Sequence, residues 1–153
     1  MRYLLLFCVA ALAIQAEDYK GPRPPKADVL YLVHASNLIP TEVLTAQQDS
    51  KKDTDTFTVP GAASPARTPL AEPIFLFRSD RIKPDDLGLF KFEVKNGKRT
   101  LTLSLRRKKG ELHLSITKLE KDLYRVEADE VLENGEYSLS PSGSNTVFCF
   151  EVY

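Results

Sequence analysis

Two histidines, one cysteine outside the first ten residues and three short charged runs carry most of the reactive chemistry in this 153-residue sequence. His34 closes the apolar run "DVLYLVH" and stands beside Ser36 and Asn37. A Ser and a His two apart at one strand end do not form a triad, and no nucleophile-elbow motif occurs in the chain. His113, in "ELHLSI", falls on the polar side of its alternation, where the expected register puts it opposite Glu127 and Ser104. That pair is a dyad only inside a cleft with a nucleophile, so a solvated cross-strand His–Glu contact is expected. The acidic runs "DSKKDTDT" (49–56) and "RSDRIKPDD" (78–86) lack the alternating acidic spacing and the glycine of a calcium loop. They are read as solvated turns. No catalytic residue, metal ligand or cofactor site is assigned.

"RRKKG" (106–110) could meet phosphates or an acidic polymer. It has no aromatic neighbours for base stacking and reads better as a charged hairpin tip that discourages edge association. Cys149 lies in "TVFCFEVY" and is the only cysteine left once a leader is removed, which excludes an intramolecular disulfide and a multi-cysteine zinc site. It is either a reactive or cross-linking thiol or a small apolar residue beneath a covering loop. The remaining candidates are Arg67, Glu72, Arg78 and Arg81. They lie in or just after "PGAASPARTPLAEP" (60–73), which holds four prolines and is expected to be an ordered loop or a bridge between sheets. Binding residues concentrate on loops held by rigid scaffolds, so these four form the expected interaction surface; a plain crossover is the alternative.

The elements that position these groups begin after residue 16. "MRYLLLFCVAALAIQA" has one arginine, an apolar run too short to span a bilayer and a small residue at its end, the layout of a secretory signal peptide with cleavage after Ala16. Cys8 follows Phe7 early in that run and is no lipoprotein cysteine. The expected mature chain has 137 residues (153 − 16), one domain by length, and 20 Lys+Arg (21 minus Arg2) against 21 Asp+Glu. Its formal net charge of −1 argues against a dedicated nucleic-acid binder. No later apolar stretch is long enough for a membrane-spanning helix. Residues 17–27 read as a flexible polar lead-in, and 28–153 as a single β domain.

Hairpins dominate that domain. Asn96-Gly97 is a two-residue turn signal that pairs Lys95 with Lys98. Continued, this register sets Phe92 opposite Leu101, Phe90 opposite Leu103 and Gly88 opposite Leu105, with Glu93 and Lys91 meeting Thr100 and Thr102. A turn at Lys108-Lys109 would pair Leu105 with Leu112, Leu103 with Leu114 and Leu101 with Ile116. A turn in "KLEKD" would pair Ile116 with Tyr124 and Leu114 with Val126. Four consecutive strands would then share one apolar face. A last turn at Gly143-Ser144 pairs Leu139 with Phe148, Tyr137 with Phe150 and, less favourably, Glu136 with Glu151. Tyr137, Leu139, Phe148, Phe150 and Val152 are expected core, so truncating this hairpin should unfold the domain. "ENGEYSL" resembles the tyrosine-corner entry to a late strand of immunoglobulin-like sandwiches. The fold expected is an all-β antiparallel sandwich, with a small closed barrel second.

The segments "SPARTPLAEPIFLF" (64–77) and "LENGEYSLSPSGSNTVFCFEVY" (132–153), about a quarter of the mature chain, resemble a group of small exported bacterial proteins. The resemblance implies a periplasmic or secreted context and carries no activity. The functional expectation is a non-enzymatic exported module that binds another envelope or extracellular protein or supports an envelope assembly. A β-barrel carrier of a small apolar ligand comes next, and a hydrolase using His34 or His113 third.

Overall fold

The computed structural model describes residues 18–104 and 111–153. The leader expected at 1–16, the basic run 106–110 and the pairings assigned to Leu105 lie outside them. The first strands are β1 (Leu30–His34), β2 (Asn37–Pro40), β3 (Glu42–Thr45), β4 (Gln47–Lys51) and β5 (Thr54–Pro60). There follow β6 (Arg67–Thr68), β7 (Ile74–Arg78), β8 (Leu87–Lys91), β9 (Glu93–Lys95) and β10 (Lys98–Ser104). The last are β11 (Glu111–Leu112), β12 (Leu114–Lys118), β13 (Leu123–Ala128), β14 (Gly135–Pro141) and β15 (Thr146–Val152). A single 3-10 turn at Pro84–Asp86 is the only helical element among the described residues, and no helix there is long and apolar enough to cross a membrane.

These strands form an all-β sandwich of three sheets. One outer sheet runs β12-β13-β7-β1-β2, the middle sheet β11-β8-β14-β15-β3 with β6 alongside β15, and the other outer sheet β4-β5-β10-β9. Every pairing is antiparallel except the short parallel β6–β15 contact. No closed barrel is present among the described residues, which removes the second fold expectation.

Side chains alternate across a strand, so the middle sheet feeds two cores. Toward the five-stranded sheet, Tyr137, Leu139, Phe148, Phe150 and Val152 meet Leu30, Leu32, Phe75, Phe77 and Val126. Phe150 stacks on Tyr137 at 5.5 Å between centroids and takes Phe75 edge-on at 4.9 Å. Toward the four-stranded sheet, Val147 and Cys149 pack with Ala46, Val59 and Phe92, flanked by Leu44, Phe57 and Leu101.

The closing hairpin has the expected register, with Leu139 opposite Phe148, Tyr137 opposite Phe150 and Glu136 opposite Glu151. The like-charged pair is tolerated because the two carboxylates have different partners: Ser64 and Arg99 for Glu136, Arg67 for Glu151. The Tyr137 hydroxyl donates to the Glu133 carbonyl at 2.7 Å, the hydrogen bond of a tyrosine corner. The turn at Asn96-Gly97 is also as expected, with both residues at positive φ (52° and 70°) as a tight two-residue hairpin requires.

Beyond Thr100 that hairpin departs from expectation. Phe92 ends the pairing: its N–H donates to the Glu136 carbonyl, β8 joins β14 in the middle sheet, and β9 stays with β10. Phe90 therefore faces Ser138 and Lys91 faces Tyr137, while Leu101 and Leu103 lie opposite Phe57 and Asp55. The expected Leu103–Leu114 and Leu101–Ile116 pairs are absent, because β12 belongs to the far sheet. The β12–β13 hairpin forms two residues out of the expected register, with Leu114 opposite Ala128 and Ile116 opposite Val126. A two-residue shift keeps every side chain on its face, so alternation cannot distinguish the two registers. The run Thr41–Gln48 breaks at buried Ala46 into β3 of the middle sheet and β4 of an outer sheet.

The proline-rich segment is the crossover: it leaves β5 in one outer sheet, lends β6 to the middle sheet and enters β7 in the other. The lead-in expected to be flexible is tied down over its described part. Arg23 pairs with Glu120, the Tyr19 N–H donates to the same carboxylate, and Pro24 is buried. Asp28, at φ 56°, accepts the N–H groups of Asp80, Arg81 and Ile82. Burial works against its charge, but those three hydrogen bonds and Arg81 prevail and hold its carboxyl below the usual value.

Candidate functional site: a cleft between two sheets

Arg99 follows the alternation of "RTLTLSL" and points to the same side as Leu101 and Leu103, yet a charged residue on an apolar face must be paired to be buried. It is fully buried and meets that demand completely. Its Nη1 donates to Glu42 at 2.8 Å and lies 3.4 Å from Glu136, Nη2 donates to the Pro60 carbonyl at 2.9 Å, and Nε to the Gly61 carbonyl at 3.1 Å. Glu136 also accepts the Ser64 N–H at 3.0 Å, and the Ser64 hydroxyl donates to the Cys149 carbonyl. Burial opposes the Arg99 charge, but the Glu42 hydrogen bond and the surrounding carboxylates raise its pKa above the ordinary value. Burial dominates at Glu136 and lifts its carboxyl above the usual range in spite of Ser64 and Arg99. This cluster rivets β10 to β3, β14 and the crossover, closing one end of the space between the middle and four-stranded sheets.

Away from that end the two sheets part. A cleft of about 510 Å³ opens between them, walled by Phe57, Leu101 and Leu103 on one sheet and Phe90 and Phe92 on the other. Ser138 and Ser140 lie on its floor, their hydroxyls 3.2 Å apart. Gly88 sits beside them on β8. A Cβ there would stand 2.8 Å from the Phe90 ring and 2.9 Å from a Glu111 carboxylate oxygen, so this floor position has no room for a side chain. Asp55, Asp85, Asp86 and Glu111 line the cleft as its charged groups among the described residues. Volume, apolar walls and a few polar groups match the general form of a small-ligand site.

The four expected interaction residues do not converge. Arg67 pairs with Glu151 and lies 4.3 Å from the Tyr153 ring at the end of β15. Glu72 is exposed before β7. Arg78 is at the far end of β7, about 20 Å on at strand rise, where it donates to the Pro25 carbonyl. Arg81 is exposed beyond it and lies 3.9 Å from Asp28 and from Asp80. None of them lines the cleft.

His34 is exposed at the β1 turn, paired in register with Asn37. His113 is exposed between β11 and β12 and faces neither Glu127 nor Ser104. Its N–H donates to Glu130, and Ser115 is the residue opposite Glu127. Neither histidine lines the cleft.

Cys149 is free and fully buried, covered by the four-stranded sheet and the crossover, and burial pushes its thiol up to about 12. The thiolate is the reactive form. We therefore expect no labelling of native protein by an aromatic disulfide reagent over an hour and no dimer on non-reducing electrophoresis. Cys149 should become labelled in urea. Full labelling of the folded chain would contradict this packing.

Arg99, Glu136 and the cleft walls were not singled out from the sequence. The available signal was parity: Arg99 shares a face with Leu101 and Leu103, and Glu136 shares one with Ser138 and Ser140. No protein-family model matches this chain, and neither a curated protein nor a solved structure is significantly similar to it.

Proposed function

We propose that this protein is an exported, non-enzymatic binding module whose inter-sheet cleft holds a small ligand with an apolar body. The observation that carries this reading is the 510 Å³ cleft walled by Phe57, Phe90, Phe92, Leu101 and Leu103. Apolar area left open to water between two otherwise packed sheets is where an apolar ligand gains most from burial. The ligand-carrier reading thus moves from a barrel interior to the gap between sheets. Export is supported by the leader-like composition of residues 1–16.

An uncharged, environment-sensitive dye such as Nile red tests the site. The protein should bind it saturably with 1:1 stoichiometry. Leu103→Lys, which sets a charge in the half-buried wall near the open end, should weaken binding by about tenfold or more, since desolvating that charge costs at least 1.4 kcal/mol. Its melting temperature should stay close to that of the parent. Absence of saturable binding, or binding unchanged in Leu103→Lys, would overturn the proposal.

A further inference from the structure

The charge around the cleft narrows the ligand further, an inference that rests on the cleft being the binding site. Asp55, Asp85, Asp86 and Glu111 all line it, and none of their carboxylates makes a hydrogen bond or ion pair among the described residues. Asp28, Glu42, Glu120, Glu133, Glu136 and Glu151 all have a cationic or N–H partner. The four acids come from three separate places in the chain: Asp55 from β5, Asp85 and Asp86 from the 3-10 turn before β8, and Glu111 from β11. The fold therefore gathers them at the apolar walls; they do not form one acidic stretch of sequence. A low-dielectric wall beside like charges strengthens their field toward a ligand inside.

We propose that the cleft takes an amphipathic cation: an aliphatic or aromatic body lying between Phe57, Leu101 and Leu103 on one side and Phe90 and Phe92 on the other, with an ammonium or amidinium end among the four carboxylates. Burial of the body supplies the affinity, and the carboxylates set the polarity of entry and exclude anions. The two floor serines can accept or donate one hydrogen bond to a polar substituent along the body. Gly88 keeps the floor low enough for a ring or chain to pass.

Three probes of equal chain length separate this inference from the reading beneath it. Decyltrimethylammonium, decanol and decanoate, each below its micellar concentration, are titrated into the full chain and followed by amide chemical shifts. The ammonium should bind about tenfold tighter than decanoate, with decanol between them, and shifts should map to β5, β8, β10 and β14. The preference should shrink in 1 M salt, as expected of partly exposed charges. Asp55→Asn combined with Asp86→Asn should bring the ammonium affinity close to that of decanol. Equal affinity for all three probes, tightest binding of decanoate, or an ammonium preference that survives the double substitution would overturn the cationic assignment and leave an apolar cleft. Failure of all three to bind would overturn both readings.

Discussion

Arg99→Ala should cost about 3–5 kcal/mol of folding stability, the usual penalty for removing one partner of a buried ion pair. The side chain is fully buried, and removing it leaves Glu136, itself almost fully buried, facing Glu42 with no counter-charge. The carbonyls of Pro60 and Gly61 lose their donors at the same time. Urea unfolding checks the figure. Glu136→Gln introduced into Arg99→Ala should recover part of the loss, because the second change removes the stranded charge, and the two effects should be non-additive. A loss below about 1 kcal/mol, or strict additivity, would show that the cluster does not hold the four-stranded sheet to the middle one. The same variant should loosen the closed end of the cleft, so any ligand affinity measured there should fall with it.

The second large effect is expected at Phe150. Phe150→Ala should destabilise by about 3–5 kcal/mol, the range for deleting a buried aromatic ring. Its ring is fully buried between Tyr137 and Phe75, so the deletion opens a cavity at the centre of the larger core and removes two aromatic contacts together. Small domains have about 5–15 kcal/mol in total, so this one side chain is a large share of the reserve. Cys149→Ala, one residue earlier on the same strand, is the internal comparison. It removes one sulfur atom from the smaller core and should cost markedly less. Equal losses at the two positions, read by denaturant midpoints at unchanged slope, would argue against the larger core being the mechanical centre of the fold.

The depth at which β15 is embedded explains why it matters so much. Its residues 146–149 pair with β3 and 151–152 with β6 on one edge, while β14 covers the other edge. Its two faces feed both cores. The alternation of "TVFCFEVY" already assigned Phe148, Phe150 and Val152 to one side and Val147 and Cys149 to the other. It also placed the β14–β15 and β9–β10 turns, because glycine and asparagine chemistry at a tight turn fixes register locally.

The sequence by itself thus determined that Tyr137, Leu139, Phe148, Phe150 and Val152 are inside, where the Asn96-Gly97 and Gly143-Ser144 turns fall and that the fold is all-β and antiparallel. It could not decide which apolar strand meets which. Leu101 opposite Phe57 and Leu101 opposite Ile116 bury the same kind of surface, and a two-residue slip between β12 and β13 preserves every face. Those choices depend on long-range packing that has no local signature. The three-sheet layering, the crossover through it and the cleft where two sheets diverge were therefore decided only in the tertiary structure. The buried Arg99 cluster belongs with them. Parity places its charge on an apolar face, but Glu42, Ser64 and Glu136, its charged and polar companions, are brought together from 35 to 57 residues away only when both sheets close over the proline-rich segment. The four candidate residues around that segment were chosen for lying close in sequence. A strand is a straight spacer of about 3.3 Å per residue, so β7 holds Arg78, its last residue, apart from Glu72, which precedes its first.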